Sequence, residues 1–282
     1  MEVEERIRSR GASLTSAERR VAEAILAAPQ AVGFGTVADL AKAADVGSAS
    51  VVRLATKLGF DGYSDLQHCV QRDLTQQLRP AAERIHETVS GSGADHTAAE
   101  LANVKTTLAG ADKQGLRAVV ERLSDLQRPV AIISGDASGG VAQQFATQLH
   151  QVRPDVTLIG GSDVVVRRDL ALLNDAATVV VIDLRRYERW VLEAHRIVHE
   201  RGIWSAALTD SVLSPLAAQA AVTFLVEAGS IGPFDSHVGT LALLNLVVLD
   251  VATALRQSAT ERLGVVETAW SENTSLTDGR TA

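Results

Sequence analysis

The sequence carries two sets of residues suited to recognising charged groups, and the first lies between Ser48 and Leu58. Small residues open this segment, Arg53 and Lys57 follow, and it contains no acidic side chain. If a helix begins at Ser48, its hydroxyl can cap the helix, Arg53 can hydrogen-bond a base edge and Lys57 can reach a phosphate. The pattern is typical of a helix that enters the major groove of DNA. The alternative is a small helical bundle whose third helix simply faces water.

The second set lies in two loops that follow apolar runs. The first loop, Ser134–Gly140, is rich in glycine and precedes a predicted helix, so its backbone can approach an anion. It lacks the spacing of a dinucleotide fingerprint, the lysine of a P-loop and the Gly-x-Ser-x-Gly elbow of a serine hydrolase. A ligand loop and a simple packing turn both remain open for it.

The second loop reads Asp183-Leu184-Arg185-Arg186-Tyr187-Glu188. Guanidinium groups bind phosphate or carboxylate in a bidentate manner, and Tyr187 can pack on such a ligand. The loop therefore favours an anionic ligand. The alternative is that both arginines are structural and pair with Asp183, Glu188 or a neighbouring subunit.

Hydrophobic periodicity defines the elements that hold these residues. The first 78 residues predict helices only: Thr15 and Glu18 form a potential capping box, a tight turn with Gly47 joins the second and third short helices, and Gly59 ends the third. This order is that of a helix-turn-helix. Residues 79–96 predict a linker because Ser90–Asp95 is small and polar.

Beyond the linker, short apolar runs alternate with helical segments. Five such runs predict a parallel sheet that is covered by helices on both faces, which is a doubly wound α/β domain over residues 97–260. A last apolar helix is expected at about 236–257, and residues 261–282 are expected to form a polar tail. The five predicted strands are 129–134, 156–159, 178–183, 204–209 and 222–226.

Composition limits the function classes. The 282 residues include 27 basic and 34 acidic side chains, for a net charge of −7, and 46% are hydrophobic, which excludes a largely disordered chain. The single cysteine, Cys69, excludes an intramolecular disulfide. No signal peptide and no membrane span is evident, so we expect a cytoplasmic protein. Residues 1–80 hold 10 basic and 10 acidic side chains, so binding to DNA must depend on local charge placement.

The N-terminal residues resemble a known family. The segments LTSAERRVAEAILAAP and TVADLAKAADVGSASVVRLATKLGFDGYSDL are similar to the DNA-binding domain of RpiR-type bacterial transcription regulators over about residues 13–78. The resemblance implies that Ser48, Ser50, Arg53 and Lys57 face DNA and that Tyr63 lies near the phosphates. With Thr36 and Ala49, these residues are the predicted DNA interface.

The same family usually carries a second, sugar-isomerase (SIS) domain that senses an effector. Residues 112–255 are similar to it in order and spacing, including Thr209-Asp210-Ser211 and Asp235-Ser236. SIS domains usually carry a Ser-x-Ser-Gly-x-Thr-like loop, whereas this chain has the arginine loop, which puts a phosphosugar ligand in question. The effector residues that the resemblance and the residue types together predict are Gly135, Ser138, Gly139, Asp183, Arg185, Arg186, Tyr187, Thr209, Ser211 and Ser236.

These inferences predict a homodimeric or tetrameric transcription regulator that binds double-stranded DNA at a roughly palindromic operator and senses a small anionic metabolite. No cofactor and no catalytic residue are expected. No metal is expected either, because His195 and His199 have no obvious third ligand. The rival from another class is a SIS-fold aldose–ketose phosphate isomerase, with Glu227 and His237 as distant candidates for a base. A ligand-binding module with a vestigial helical arm is the third interpretation.

Overall fold

The computed structural model describes residues 2–27, 32–33, 35–77, 81–87, 93–212 and 214–272. The chain divides into two compact units. The first consists of residues 1–89 with 211–218, and the second of residues 90–210 with 219–282. Parts of the predicted linker and of the predicted tail, at 78–80, 88–92 and 273–282, lie outside the described residues.

The regular secondary structure described in the first unit is helical, as the periodicity predicted. Val21, Ile25 and Leu54 have no exposed surface and belong to one apolar cluster that holds these helices together. The α-helices are α1 Glu2–Arg10, α2 Ser16–Ala27, α3 Val37–Ala43, α4 Ser48–Lys57, α5 Tyr63–Gln77 and α6 Ala81–Glu87.

Helices α3 and α4 form the predicted helix-turn-helix. A capping box starts α3, with Asp39 N donating to Thr36 Oγ1 at 3.2 Å and Thr36 N donating to Asp39 Oδ2 at 2.8 Å. In the turn it is Asp45, not Gly47, that adopts the left-handed conformation, with a φ of 50°. Aspartate tolerates this region better than most residues do.

The predictions for three helix ends have different outcomes. The N-cap of α4 is Gly47 and no side chain caps it, so the prediction that the Ser48 hydroxyl caps this helix is wrong. The other end agrees with the prediction, because Gly59 follows the C-cap of α4 with a φ of 87°. The predicted capping box of α2 is also confirmed, with Thr15 N donating to Glu18 Oε2 at 2.8 Å.

The second unit is built on a five-stranded parallel sheet, which confirms the α/β prediction. The strand order is β2-β1-β3-β4-β5, and the register places Val130 beside both Val156 and Thr178. The strands are β1 Val130–Ser134, β2 Val156–Ile159, β3 Thr178–Ile182, β4 Trp204–Thr209 and β5 Val222–Leu225. The helices are α7 Gly93–Gly110, α8 Lys113–Ser124, α9 Gly139–Val152, α10 Asp163–Leu172, α11 Arg189–Glu200, α12 Val238–Ala254 and α13 Arg256–Glu272.

Alternate residues of the central strands face two different layers of helices. Ile132 and Val180 belong to the main apolar cluster with Phe145 of α9 and Val247 of α12. Their strand neighbours are also buried but lie outside that cluster, on the face that α11 contacts. Burial on both faces explains why these strands read as continuous apolar runs.

The predicted polar tail is corrected in part. Residues 256–272 form helix α13, which packs on α9 and buries Ala259, so the tail cannot begin at residue 261. Among the described residues no single helix is long and apolar enough to cross a membrane. Helices α12 and α13 reach that length and hydropathy only when they are taken together, and they are bent by 105°.

Arg153 is a fully buried arginine that joins the loops at one end of the sheet. Its guanidinium donates to Leu123 O and Arg128 O, each at 2.5 Å, and to Pro154 O at 3.0 Å. A buried charge persists only when its hydrogen bonds are satisfied, and here carbonyl oxygens satisfy it. The side chain therefore fixes the segments that enter β1 and β2.

Replacing Arg153 with methionine leaves these carbonyl oxygens buried without donors, so we expect a loss of about 3–5 kcal/mol in the free energy of unfolding. Chemical denaturation measures it. The matched control is Arg196→Ala, which removes an arginine from surface ion pairs with Glu193 and Glu200 and should change stability little. Equal effects of the two substitutions would contradict the structural role of Arg153.

Candidate DNA interface and effector site

The exposed side of α4 carries three of the seven residues that the sequence assigned to DNA. Ser48, Ala49 and Arg53 are exposed. Ser50 is buried, and its Oγ accepts a hydrogen bond from Arg53 Nη2 at 2.8 Å, so the prediction that Ser50 faces DNA is not supported by its position. Val52 of the same helix is 43% exposed.

Lys57 is held against the protein. Its Nζ lies 2.8 Å from Glu18 Oε2 and donates to Ser13 O at 2.6 Å. The Lys57 ammonium and the Thr15 amide lower the pKa of the Glu18 carboxyl. Lys57 therefore ties α4 to α2, and a phosphate contact would require it to leave this carboxylate.

Two arginines of α1 donate hydrogen bonds to carbonyl groups at the C-terminal end of α4. Arg6 Nη1 donates to Gly59 O at 3.1 Å, and Arg10 donates to Lys57 O. The Arg6 guanidinium also lies 4.3 Å from the centre of the Phe60 ring. Cations are favourable beside the free carbonyl groups of a helix end. Sequence reasoning missed this role because the contacts join residues about fifty positions apart.

Thr36 and Tyr63 make contacts inside the first unit. Thr36 caps α3, as described above, and its side chain is exposed. Tyr63 Oη donates to Val32 O at 3.3 Å, and burial raises the pKa of this phenol, with a further contribution from the Asp39 carboxylate. These contacts do not test binding to DNA, so the predicted DNA contacts of both residues stay predictions.

In the second unit, parallel pairing brings the predicted ligand loops to one edge of the sheet. Ser134 at the end of β1 pairs with Ile182 at the end of β3, and Ile182 pairs with Leu208 of β4. The glycine loop, the arginine loop and Thr209-Asp210 therefore all follow the carboxyl ends of neighbouring strands. This edge is where open α/β sheets bind ligands.

Two carboxylates converge on the glycine loop. A Cβ built on Gly135 would lie 2.6 Å from Asp183 Oδ1 and 3.1 Å from Glu188 Oε1, which explains the glycine. Glu188 Oε1 accepts from the amide of Asp136, and its Oε2 accepts from Trp190 Nε1 at 2.5 Å. An amide of the loop expected to bind an anion is thus already bound to a carboxylate of the chain itself.

Asp210 organises the arginine loop. Its Oδ1 accepts from Arg185 N at 3.0 Å and from Tyr187 Oη at 2.9 Å, and its Oδ2 lies 3.2 Å from Arg185 Nε. Asp235 Oδ2 lies 3.8 Å from the same Nε. Arg185 is therefore paired within the chain, and its partners are Asp210 and Asp235 and not the Asp183 or Glu188 that the alternative interpretation named.

Arg186 differs from its neighbour. It is exposed, its φ is 68°, and within the described residues its side chain makes no hydrogen bond or ion pair. The hydroxyl groups of Ser138 and Thr209 are buried and have no hydrogen-bond partner among the described residues. Buried polar groups normally have partners, so these two hydroxyls are candidates for a ligand.

Three further predicted effector residues, Gly139, Ser236 and Ser211, have surroundings that do not by themselves indicate a ligand. A Cβ on Gly139 would meet no atom within 4 Å, so close approach does not require this glycine. Ser236 Oγ donates to Glu100 Oε2 at 2.5 Å. Ser211 is buried and is grouped with the first unit.

The edge is more acidic than the sequence pattern suggested. Burial raises the pKa of the Asp183 carboxyl to about 6, and the carboxylates of Glu188 and Asp210 add to this shift, although the Glu188 amide opposes it. The sequence alternative named Asp183 and Glu188 as possible partners of the arginines. It missed Asp210, although the position of Asp210 directly after a strand was a usable signal.

No group of three or more His, Cys, Asp or Glu side chains that could hold a metal ion occurs among the described residues. His195 is buried, with Nε2 at 2.9 Å from Ser205 Oγ, and burial lowers its pKa to about 4. His199 Nδ1 lies 3.1 Å from Gln219 O. The two histidines therefore have separate surroundings, one in the core and one on the surface.

The pKa of Asp183 predicts a pH-dependent stability. Because the folded protein holds this proton more tightly than the unfolded chain does, the contribution of Asp183 to the free energy of unfolding falls as the pH rises from about 4 to about 6. Asp183→Asn, which can still accept from the Glu188 amide, should therefore stabilise the protein above pH 6, by at most about 3 kcal/mol. Thermal denaturation from pH 4 to 8 measures this gain.

The control is Asp163→Asn, at an exposed carboxylate paired with Arg167. It should give no gain in the melting temperature at any of these pH values. A pH-independent effect of Asp183→Asn would contradict the raised pKa.

Comparisons with known proteins agree with this architecture. The model of the rpiR-family helix-turn-helix domain matches residues 1–77, and the SIS domain model matches residues 127–250. The transcriptional regulator HexR of Pseudomonas aeruginosa is 28% identical, over 93% of this chain and 90% of its own. The bifunctional protein glk of Burkholderia pseudomallei is 26% identical over 90% of this chain, which spans only 40% of that longer protein.

A solved structure shares the fold over nearly the whole chain. It is that of the Vibrio vulnificus NanR protein complexed with ManNAc-6P, with a TM-score of 0.54 and 23% identity, and the match covers 95% of this chain and 98% of NanR. The two domain models together match more than half of the sequence, in the order that the sequence resemblance implied. The chain belongs to the RpiR-type family of helix-turn-helix transcription regulators.

Proposed function

We propose that this protein is a homo-oligomeric regulator that binds a roughly palindromic DNA operator through paired copies of α4 and releases or tightens that contact when a small anionic metabolite binds the second unit. Residues 1–78 would bind DNA, 79–96 would link the domains and 97–260 would bind the effector and the partner subunit. The observation that carries the proposal is the outward face of α4, the second helix of the helix-turn-helix, on which Arg53 is exposed.

Self-association is supported by charge and by exposed apolar surface. The neutral N-terminal region would bind DNA weakly as a single copy, so linking two copies would raise the affinity through effective concentration. In the second unit, the packed helices α7 and α12 expose Leu101 at 67% and Leu249 at 60%. Large exposed apolar patches mark association surfaces, so these two leucines are the candidates for one on this pair of helices.

The effector site would be formed at the carboxyl edge of the sheet by Arg186 and the unpartnered hydroxyl groups of Ser138 and Thr209. Arg186 would bind the anionic group of the ligand, and the hydroxyls would bind its polar body. The family membership and the bound ManNAc-6P of NanR favour a sugar phosphate as the first ligand to try. The acidic surroundings favour a ligand with one terminal anion and several hydroxyl groups.

An isomerase activity on the same fold is not favoured. Glu227, one of the two candidate bases, is exposed to solvent. The arginine loop offers a phosphate no serine or threonine hydroxyl. We propose that the protein is not an enzyme and needs no cofactor.

Fluorescence anisotropy with a random-sequence DNA pool, followed by DNA from upstream of its own gene, tests the proposal. The measurement is made at physiological salt because the affinity for DNA depends on the salt concentration. Saturable binding that a scrambled duplex does not displace is the expected result. Indifference to every sequence in the pool would overturn DNA recognition and leave the isomerase or the bare sensor.

Arg53→Ala should weaken specific binding by about 1–3 kcal/mol and relax the preference at one base pair of each half-site. Selection from the pool with the variant measures the preference. Arg19→Ala removes the same charge from an exposed position of α2 and should leave the preference unchanged. An unaltered preference in Arg53→Ala would contradict base recognition by this residue.

Replacing each of the two arginines of the arginine loop should have a different effect. Arg186→Ala should weaken the response to a hexose phosphate at least tenfold while sparing stability, because Arg186 has no partner within the described residues. Arg185→Ala should lower the melting temperature, because it leaves Asp210 without its cation. Anisotropy titrations with ManNAc-6P and hexose 6-phosphates, with inorganic phosphate as control, measure the response. An unchanged response in Arg186→Ala would place the anion site elsewhere.

A further inference from the structure

The outward face of α4 has an apolar centre. Successive residues of an α-helix lie about 100° apart around its axis, so the exposed residues Ser48, Ala49, Val52, Arg53 and Thr56 share one side. Val52, Thr56 and Ala49 fall in the middle of that side, and Arg53 lies at its edge, where it turns to Ser50. The centre of the face is therefore formed by short side chains and not by the arginine.

Methyl groups dominate this centre. Thr56 Oγ1 donates to Val52 O at 3.2 Å, so its hydroxyl is already used within the helix and its methyl group remains available. Among the large apolar side chains that the structure describes between residues 2 and 77, Val52 is the exposed one, at 43%. A single exposed valine is common on protein surfaces, but this valine lies on the helix that the proposed function places in the major groove.

The major groove presents one apolar group, the 5-methyl of thymine. A branched side chain on a helix surface loses conformational freedom without gaining burial, so solvent alone gives no reason for a valine there. Contact with a methyl group would bury both partners. Basic and polar side chains at the edge of the face could hold the helix in register while this contact forms.

We propose that Val52 contacts the 5-methyl group of a thymine in the major groove and thereby specifies a T·A pair at one position of each half-site. The proposal rests on the proposed DNA binding. Ala49 and the methyl group of Thr56 flank the contact and keep water out of it. The specificity of the operator then comes from two kinds of contact, an apolar one at Val52 and a polar one at Arg53.

Deoxyuridine tests the contact, because it pairs as thymine does and lacks only the 5-methyl group. Each thymine of the operator selected from the random pool is replaced in turn, and binding is measured by anisotropy with the full chain. We expect one thymine in each half-site at which the replacement weakens wild-type binding about threefold to tenfold. The variant Val52→Ala should bind the thymine and deoxyuridine duplexes equally well.

The matched control is Val164→Ala, the same substitution at a 77% exposed valine of the second unit. It should keep the full sensitivity to deoxyuridine. If the wild type binds its operator specifically but no single replacement matters, or if Val52→Ala stays equally sensitive, the thymine contact is overturned while DNA recognition stands. If the wild type selects no sequence from the pool, the proposed function fails and the contact fails with it.

Discussion

Parallel pairing of β1 with β3 and of β3 with β4 is the constraint on which the proposed effector site depends. In a parallel sheet every strand ends at the same edge, so loops that are about fifty and twenty-five residues apart in sequence become neighbours. The register that joins Ser134 to Ile182 and Ile182 to Leu208 places the Asp183 carboxylate against Gly135. A side chain at residue 135 would collide with this carboxylate, which would have to move.

Carboxylates set the chemistry of this edge. Asp210 holds the arginine loop through Arg185 and Tyr187, and Glu188 binds the amide of Asp136. These contacts give polar groups of the loops hydrogen-bond partners within the chain. They leave Arg186 as the cation with no partner in the described part of the loop. An anionic effector would therefore meet one free guanidinium against a background of negative charge, which selects for ligands whose hydroxyl groups can donate to carboxylates.

The first unit holds its helix-turn-helix by contacts to the C-terminal end of α4. Lys57 bonds Glu18 of α2, and Arg6 and Arg10 of α1 bond the carbonyl groups where α4 ends. Three cations of a nearly neutral domain are thus used to orient the helix. These three side chains are then not available to phosphate groups, which is consistent with a regulator that gains affinity by presenting two copies to one operator.

The sequence by itself determined the order of the elements and the family. Periodicity near 3.6 and continuous Val/Ile runs depend on which faces are buried, and the capping boxes at Thr15 and Thr36 and the glycine after α4 are local signals, so all could be read from neighbouring residues. Even there, a local rule misplaced the helix cap at Ser48, since Gly47 occupies that position.

Only the tertiary structure decided which predicted site residues are free. Arg185 and Arg186 are adjacent and alike in sequence, yet one is bound by Asp210 and Asp235 and the other points to solvent. Val52 and Val51 are likewise adjacent, and burial separates them. Partners that lie tens of residues away decide these outcomes, because electrostatic and packing contacts depend on distance in space and leave no pattern in the neighbouring sequence.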